Sequence, residues 1–142
     1  MPSPVAAAVP DPAGSYRMLS GNEIGRDLGY GWGGGIIIYA TVEPAVIRDS
    51  VITANYAPTY GSGVFIDEGA EAVLEHLLVH ANQVEEDCAG GGAVAVDGGD
   101  GVGSTATLRF VTIADNPCNS YVGGNGILVE GLSSVTVSSS IL

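Results

Sequence analysis

Apolar residues recur along this chain in two interleaved series. Short runs with two-residue alternation follow small-residue lead-ins: GGG-IIIY at 33–39, GSG-VFID at 61–67, GGA-VAVD at 91–97 and GNG-ILVE at 124–130. Their starts are 28, 30 and 33 residues apart. Between them lie longer stretches that close on asparagine: RMLSGN at Asn22, VIRDSVITAN at Asn55, VLEHLLVHAN at Asn82 and TLRFVTIADN at Asn116, spaced by 33, 27 and 34 residues. VTVSSSIL at 135–142 starts one more copy and stops three residues short of its asparagine. Self-similarity at a period near 30 residues is the mark of stacked repeats.

Alternation within the first series puts Ile36, Val64, Val94 and Ile127 on one face with Ile38, Ile66, Val96 and Val129, as strand geometry requires. In the second series Ile47, Leu74, Leu108 and Val137 form one apolar column, and Leu19, Ile52, Val79, Ile113 and Leu142 form another. A coil of about 30 residues cannot bury its own apolar side, whereas coils stacked about 4.8 Å apart bury a continuous one. The expected fold is therefore all-β, a parallel β-solenoid of about four coils open at both ends. Residues 1–14 are expected to form a flexible N-terminal segment and residues 15–142 the solenoid, a section of a longer one. Asn22, Asn55, Asn82 and Asn116 are expected to stack as a register ladder, since asparagine tolerates left-handed turns and its amide can bond the amides above and below.

One segment pulls the other way. EGAEAVLEHLLVHANQVEED at 68–87 has apolar residues at 73, 74, 77, 78, 81 and 84, a helical spacing built from good helix formers. Its Leu74, Val79 and Asn82 nevertheless fall on columns shared with the other copies, which favours strand. His76 and His80 have the spacing of a zinc-binding pair on a helix, but Leu77 stands where a zincin carries its glutamate.

Composition narrows the function. The 142 residues carry sixteen acids, four arginines and no lysine, a formal charge of −12, so nucleic acid would be repelled and would find few phosphate contacts. No run approaches the roughly 18 apolar residues that span a bilayer, and MPSPVAAAVP lacks the basic start of a secretory signal. Cys88 and Cys118 follow asparagine closures in consecutive coils, a placement that suits a disulfide and an oxidising compartment; two free thiols are the alternative.

The G-G-[GA]-[IV] lead-ins and [LIV]-x-x-N closures over roughly residues 15–142 resemble right-handed parallel β-helix repeats of the pectate-lyase-like superfamily, including polymorphic outer-membrane-protein repeats. The resemblance implies a β-helix in an exported setting, secreted or at the cell surface. The superfamily spans lyases, hydrolases, adhesins and passive stalks, so the fold does not choose among them.

Three surface features carry candidate chemistry. Tyr39, Asp67, Asp97 and Glu130 end the first strand series, which places three acids one above another. Such a column is relieved by solvent, by shared protons or by calcium, for which Asp67, Asp97, Asp100 and Glu130 are the candidate ligands; no cofactor is required. Asp67, Asp97 and Glu130 are also the catalytic candidates, since carboxylates on adjacent coils approach the roughly 5 Å of retaining glycosidases. The N-T-D and G-H-G signatures of polygalacturonases are missing. Arg48, Glu75 and Arg109 share one repeat position and predict a charge ladder. Tyr30, Trp32, Tyr56, Tyr60 and Tyr121 gather before the glycine lead-ins, where they either stack on sugar rings or cover an apolar corner. Ile37, Phe65, Ala95 and Leu128 face outward as an apolar stripe, and that stripe or the open ends predict a homo-oligomer. The expected function is a non-catalytic extracellular module, structural or adhesin-like, with glycan binding. A polysaccharide lyase or glycoside hydrolase using the stacked acids is the alternative.

Overall fold

The structure, a computed structural model, describes residues 17–22, 31–84, 93–99, 101–117 and 126–142. Within them the chain is all-β and contains no helix. Strands β1 (Arg17–Ser20), β3 (Ala45–Thr53), β6 (Glu71–His80), β9 (Thr105–Arg109) and β12 (Ser134–Ser138) stack in that order, with β10 (Thr112–Ala114) also on β6. A second sheet runs β2 (Ile36–Tyr39), β5 (Val64–Asp67), β8 (Val94–Val96), β11 (Ile127–Val129), and β4 (Tyr56–Ala57) pairs with β7 (Gln83–Val84). Every pairing is parallel, so the molecule is a parallel β-solenoid of about three turns, slightly fewer than the repeat spacing suggests.

The register follows the repeat columns. Ile47 pairs with Leu74, Leu74 with Leu108 and Leu108 with Val137. Leu19, Ile52, Val79 and Ile113 align in the same way, as do Ile36, Val64, Val94 and Ile127. Side chains in the middle coils are fully enclosed: Ile52, Val64, Ile66, Leu74, Val79, Val94, Val96 and Leu108 are all buried in one cluster. Each such side chain contributes about 1.5–3 kcal/mol by leaving water.

Residues 71–80 form β6, and the structure explains their helix-like spacing. Asp49, His76, Phe110 and Ser139 occupy one corner of successive coils, each with φ near +50°. A residue in that left-handed conformation turns the strand and adds one outward position, so the inward positions of β6 run Ala72, Leu74, Leu77, Val79. The gap of three between Leu74 and Leu77 imitates a helical period although the backbone is extended on both sides. His76 sits on this corner and His80 on the outer surface of the strand, paired with Thr53 and Ala114.

A second left-handed corner stands directly before each asparagine, at Gly21, Ala54, Ala81 and Asp115. The asparagines themselves do not take the left-handed turn; the residue before each one does. Asparagine instead points inward and bonds along the stack. The Oδ1 of Asn55 accepts from Asn22 Nδ2 at 2.8 Å, that of Asn82 from Asn55 Nδ2 at 2.9 Å, and that of Asn116 from Asn82 Nδ2 at 3.1 Å. Each Oδ1 also accepts the backbone N–H of the asparagine one coil earlier, at 3.2, 3.1 and 3.0 Å. The ladder thus satisfies the asparagine backbone N–H and side-chain amide groups at the corner between two sheets.

Arg48, Glu75 and Arg109 are aligned by the register, and Arg109 Nη1 lies 3.3 Å from Glu75 Oε1. With Arg109 more than half exposed, this pair is worth less than about 1 kcal/mol. Cys88 and Cys118 lie outside the described residues, as do residues 1–16.

Candidate functional site

The outer face of the β2-β5-β8-β11 sheet holds the aromatic and acidic features side by side. Period-two alternation points Ile37, Phe65, Ala95 and Leu128 outward in one column and Tyr39, Asp67, Asp97 and Glu130 outward in the next. Tyr39 is register partner to Asp67, while Asp97 N donates to Ile66 O at 2.8 Å and Glu130 N to Val96 O at 2.9 Å, which carries the acidic column down the stack.

Only at Ile37, which is 44% exposed, is the first column the open apolar stripe that alternation predicts. Phe65 is only 3% exposed and Ala95 is fully buried. Trp32 and Tyr60 cover Phe65: the Trp32 ring stacks on it with centroids 6.3 Å apart and planes at 25°, and the Tyr60 ring tilts over it at 5.7 Å. The glycine lead-ins make this possible. Gly33 N donates to Tyr60 O at 2.9 Å, and Trp32 and Tyr60 form a parallel bridge, so the lead-ins of two coils run together and lay their rings on the sheet. Gly33 takes φ +63°, and a Cβ there would meet the Ile37 side chain and sit 2.7 Å from Ile36 O, a backbone atom that cannot rotate away. An alanine would push the lead-in off the sheet.

The aromatic residues therefore divide. Trp32 keeps 49% of its surface exposed above Phe65, and Tyr60 is half-buried below it. Tyr56, by contrast, is 7% exposed within β4 and presents no ring to a ligand, which removes it from the sugar-stacking candidates. Tyr30, Tyr121 and Asp100 lie outside the described residues.

Tyr60 also joins the acids. Burial, then the charges of Glu130 and Asp97, and last the interaction of its hydroxyl with Glu130, hold its pKa above the usual tyrosine value. It remains a neutral donor through the physiological range. Sequence patterning treats the aromatic corner and the acid column as separate features, and no local signal joins Tyr60 to a residue two coils away.

Burial is also the chief reason that the Asp67 carboxyl titrates above its ordinary value; the neighbouring Asp97 charge adds to this, and the N–H of Glu68, donated to Asp67 Oδ1 at 2.7 Å, opposes it. A carboxyl raised in this way binds its proton more tightly in the folded chain than in the unfolded one. Stability is therefore lost as pH rises from the unfolded carboxyl value, about 4, through the higher folded value. Asp67→Asn keeps an Oδ1 acceptor for Glu68 and removes the charge. Its melting temperature is expected to exceed that of the parent at about pH 7 and to match it at about pH 3, where both are uncharged. Thermal unfolding followed by circular dichroism at the two pH values checks this, and a difference that persists unchanged in acid would refute the electrostatic origin.

Among the described residues no group of three or more His, Cys, Asp or Glu side chains is arranged to hold a metal ion. On the opposite side, His76 Nδ1 lies 3.6 Å from Asp49 Oδ1 and its ring stacks on Phe110 with centroids 5.1 Å apart, beside a shallow groove lined by Val51, Leu77 and Leu78. No helix among the described residues is long and apolar enough to cross a membrane.

Fold and surface together define a parallel β-solenoid with an aromatic and acidic face. Comparison with protein-family models, with curated proteins and with solved structures finds no match.

Proposed function

We propose that the chain is a non-catalytic extracellular or cell-surface module, structural or adhesin-like, that binds glycan on the outer face of the β2-β5-β8-β11 sheet. In this reading its architecture belongs with the right-handed β-helices of the pectate-lyase-like superfamily and their outer-membrane repeats. The observation that carries the proposal is the Trp32 indole, half exposed and stacked on Phe65, on a sheet whose next outward column holds Asp67, Asp97 and Glu130. A pyranose ring stacks on such a surface through its C–H face while its hydroxyls bond the carboxylates.

Trp32 is the single tryptophan of the chain, so its fluorescence reports on this face alone. Titration with neutral and charged oligosaccharides is expected to shift its emission. Calorimetry is expected to show binding weakened about tenfold or more in Trp32→Ala, the loss of one stacking anchor. Unchanged affinity in that variant would remove the proposed surface.

The raised carboxyl of Asp67 beside Asp97 favours a second reading, a glycoside hydrolase or polysaccharide lyase that works with Asp67, Asp97 and Glu130. Turnover of a polysaccharide by the parent chain that vanishes in Asp97→Asn would establish it in place of the binding module.

A further inference from the structure

We infer that this face selects glycans bearing free amino groups, hexosamine residues whose ring carries a protonated amine, over neutral and acidic ones. The inference rests on the glycan-binding reading above and adds the charge of the ligand. Stacking on Trp32 supplies area without discrimination, because every pyranose has a C–H face; discrimination comes from the polar groups at the edge of the platform. Here those groups are mostly acceptors. Asp67, Asp97 and Glu130 are carboxylates in one outward column headed by the exposed phenol of Tyr39.

No described cation offsets them on this sheet. The chain has four arginines and no lysine. Arg48 and Arg109 belong to β3 and β9, Arg17 opens β1 in that same sheet, and Arg26 lies outside the described residues. A uronate or sulfated sugar stacked on Trp32 would bring its anion onto a sheet face whose neighbouring column carries three carboxylates and no described counter-charge. An ammonium at the same place would donate charge-assisted hydrogen bonds to them, the stronger class of such bonds. The formal charge of −12 acts in the same direction at longer range, so the preference should weaken as salt rises.

The test titrates the full chain, followed by Trp32 emission and calorimetry, with tetramers of glucosamine, N-acetylglucosamine and galacturonate. Tetralysine, four amines without a pyranose face, serves as the charge control. The glucosamine tetramer is expected to bind about tenfold or more tighter than the N-acetylated one, a single charge-assisted contact in affinity, with galacturonate weakest. Tetralysine is expected to bind at least about tenfold more weakly than the glucosamine tetramer because it cannot stack. Glu130→Gln and Asp97→Asn, which remove a charge, should lower glucosamine affinity more than N-acetylglucosamine affinity and so narrow the ratio between the two tetramers.

Equal or tighter binding of the N-acetylated or galacturonate tetramer would overturn the charge selection and leave the glycan reading standing. Tetralysine binding as tightly as the glucosamine tetramer would overturn selection of a sugar, reducing the effect to net charge. Binding of none of the sugars would sink both readings.

Discussion

Replacing Asn82 by alanine is expected to cost about 4 kcal/mol or more, a large part of the 5–15 kcal/mol that holds a typical domain folded. Asn82 is fully buried. Its Oδ1 accepts from the N–H of Asn55 at 3.1 Å and from Asn55 Nδ2 at 2.9 Å, while its Nδ2 donates to Ile52 O at 2.9 Å, His80 O at 3.1 Å and Asn116 Oδ1 at 3.1 Å. Alanine removes all five contacts and strands donors and acceptors that water cannot reach, each costing about 1–3 kcal/mol when left unpaired. Asn82→Asp should be at least as damaging at neutral pH, because the lost amide hydrogens become a charged oxygen aimed at two carbonyls. Asn22→Ala is the control. Asn22 is only half-buried at the outermost described rung, and of its two bonds to Asn55 Oδ1 alanine keeps the one from the backbone N–H and loses only the one from Nδ2. Its loss should cost about 0.5–1.5 kcal/mol. Urea unfolding of the three variants measures the difference, and equal costs for Asn82→Ala and Asn22→Ala would mean that the ladder does not carry the stack.

That ladder is where sequence and structure agree most closely, and the reason is geometric. A solenoid must repeat its inward positions once per coil, so Ile47, Leu74, Leu108 and Val137 declare their column by spacing alone, however much the connections vary. The corners declare nothing of the kind. Ala54 and Ala81 adopt φ values of +54° and +53°, a conformation that costs an alanine about 1–2 kcal/mol and that no property of alanine advertises. Closure of the coil imposes it, and the asparagine bonds that follow offset it.

The surface was legible only in part for a related reason. Alternation says that Phe65 faces outward, but whether an outward side chain meets water depends on where the lead-ins of two coils travel, and here they bring Trp32 and Tyr60 over it. The same excursion brings the Tyr60 hydroxyl under the influence of the Glu130 and Asp97 charges. Tyr56, grouped with Trp32 and Tyr60 by its place in the repeat, instead pairs within β4 and β7 and is enclosed. Period-two logic resolves the side of a sheet, not the layer that lies over it.

Gly34→Ala is expected to disturb both fold and site, since the lead-in glycines set that covering layer. A Cβ on Gly34 would lie 2.5 Å from Tyr56 O and 2.6 Å from Ser62 O, two backbone oxygens that no rotamer change can move. Ser62 O accepts from Gly35 N at 3.0 Å, and Gly63 O, the next acceptor, from Ile36 N at 2.9 Å, so relief of the clash means pulling apart the bonds that start β2. Overpacking of this kind costs about 1–3 kcal/mol, and the upper end applies where only backbone can yield. Gly21→Ala separates close approach from backbone conformation: Gly21 has φ +69° and nothing within 4 Å of its added Cβ. That variant should lose only the conformational part, about 1–2 kcal/mol. Gly34→Ala should lose more in urea unfolding and should also move Trp32 emission to longer wavelength, because the indole two residues earlier is displaced from Phe65. A Gly34→Ala chain as stable as Gly21→Ala, with parental Trp32 emission, would show that the lead-ins do not hold the rings in place, and the platform would lose the rigidity on which sugar stacking depends.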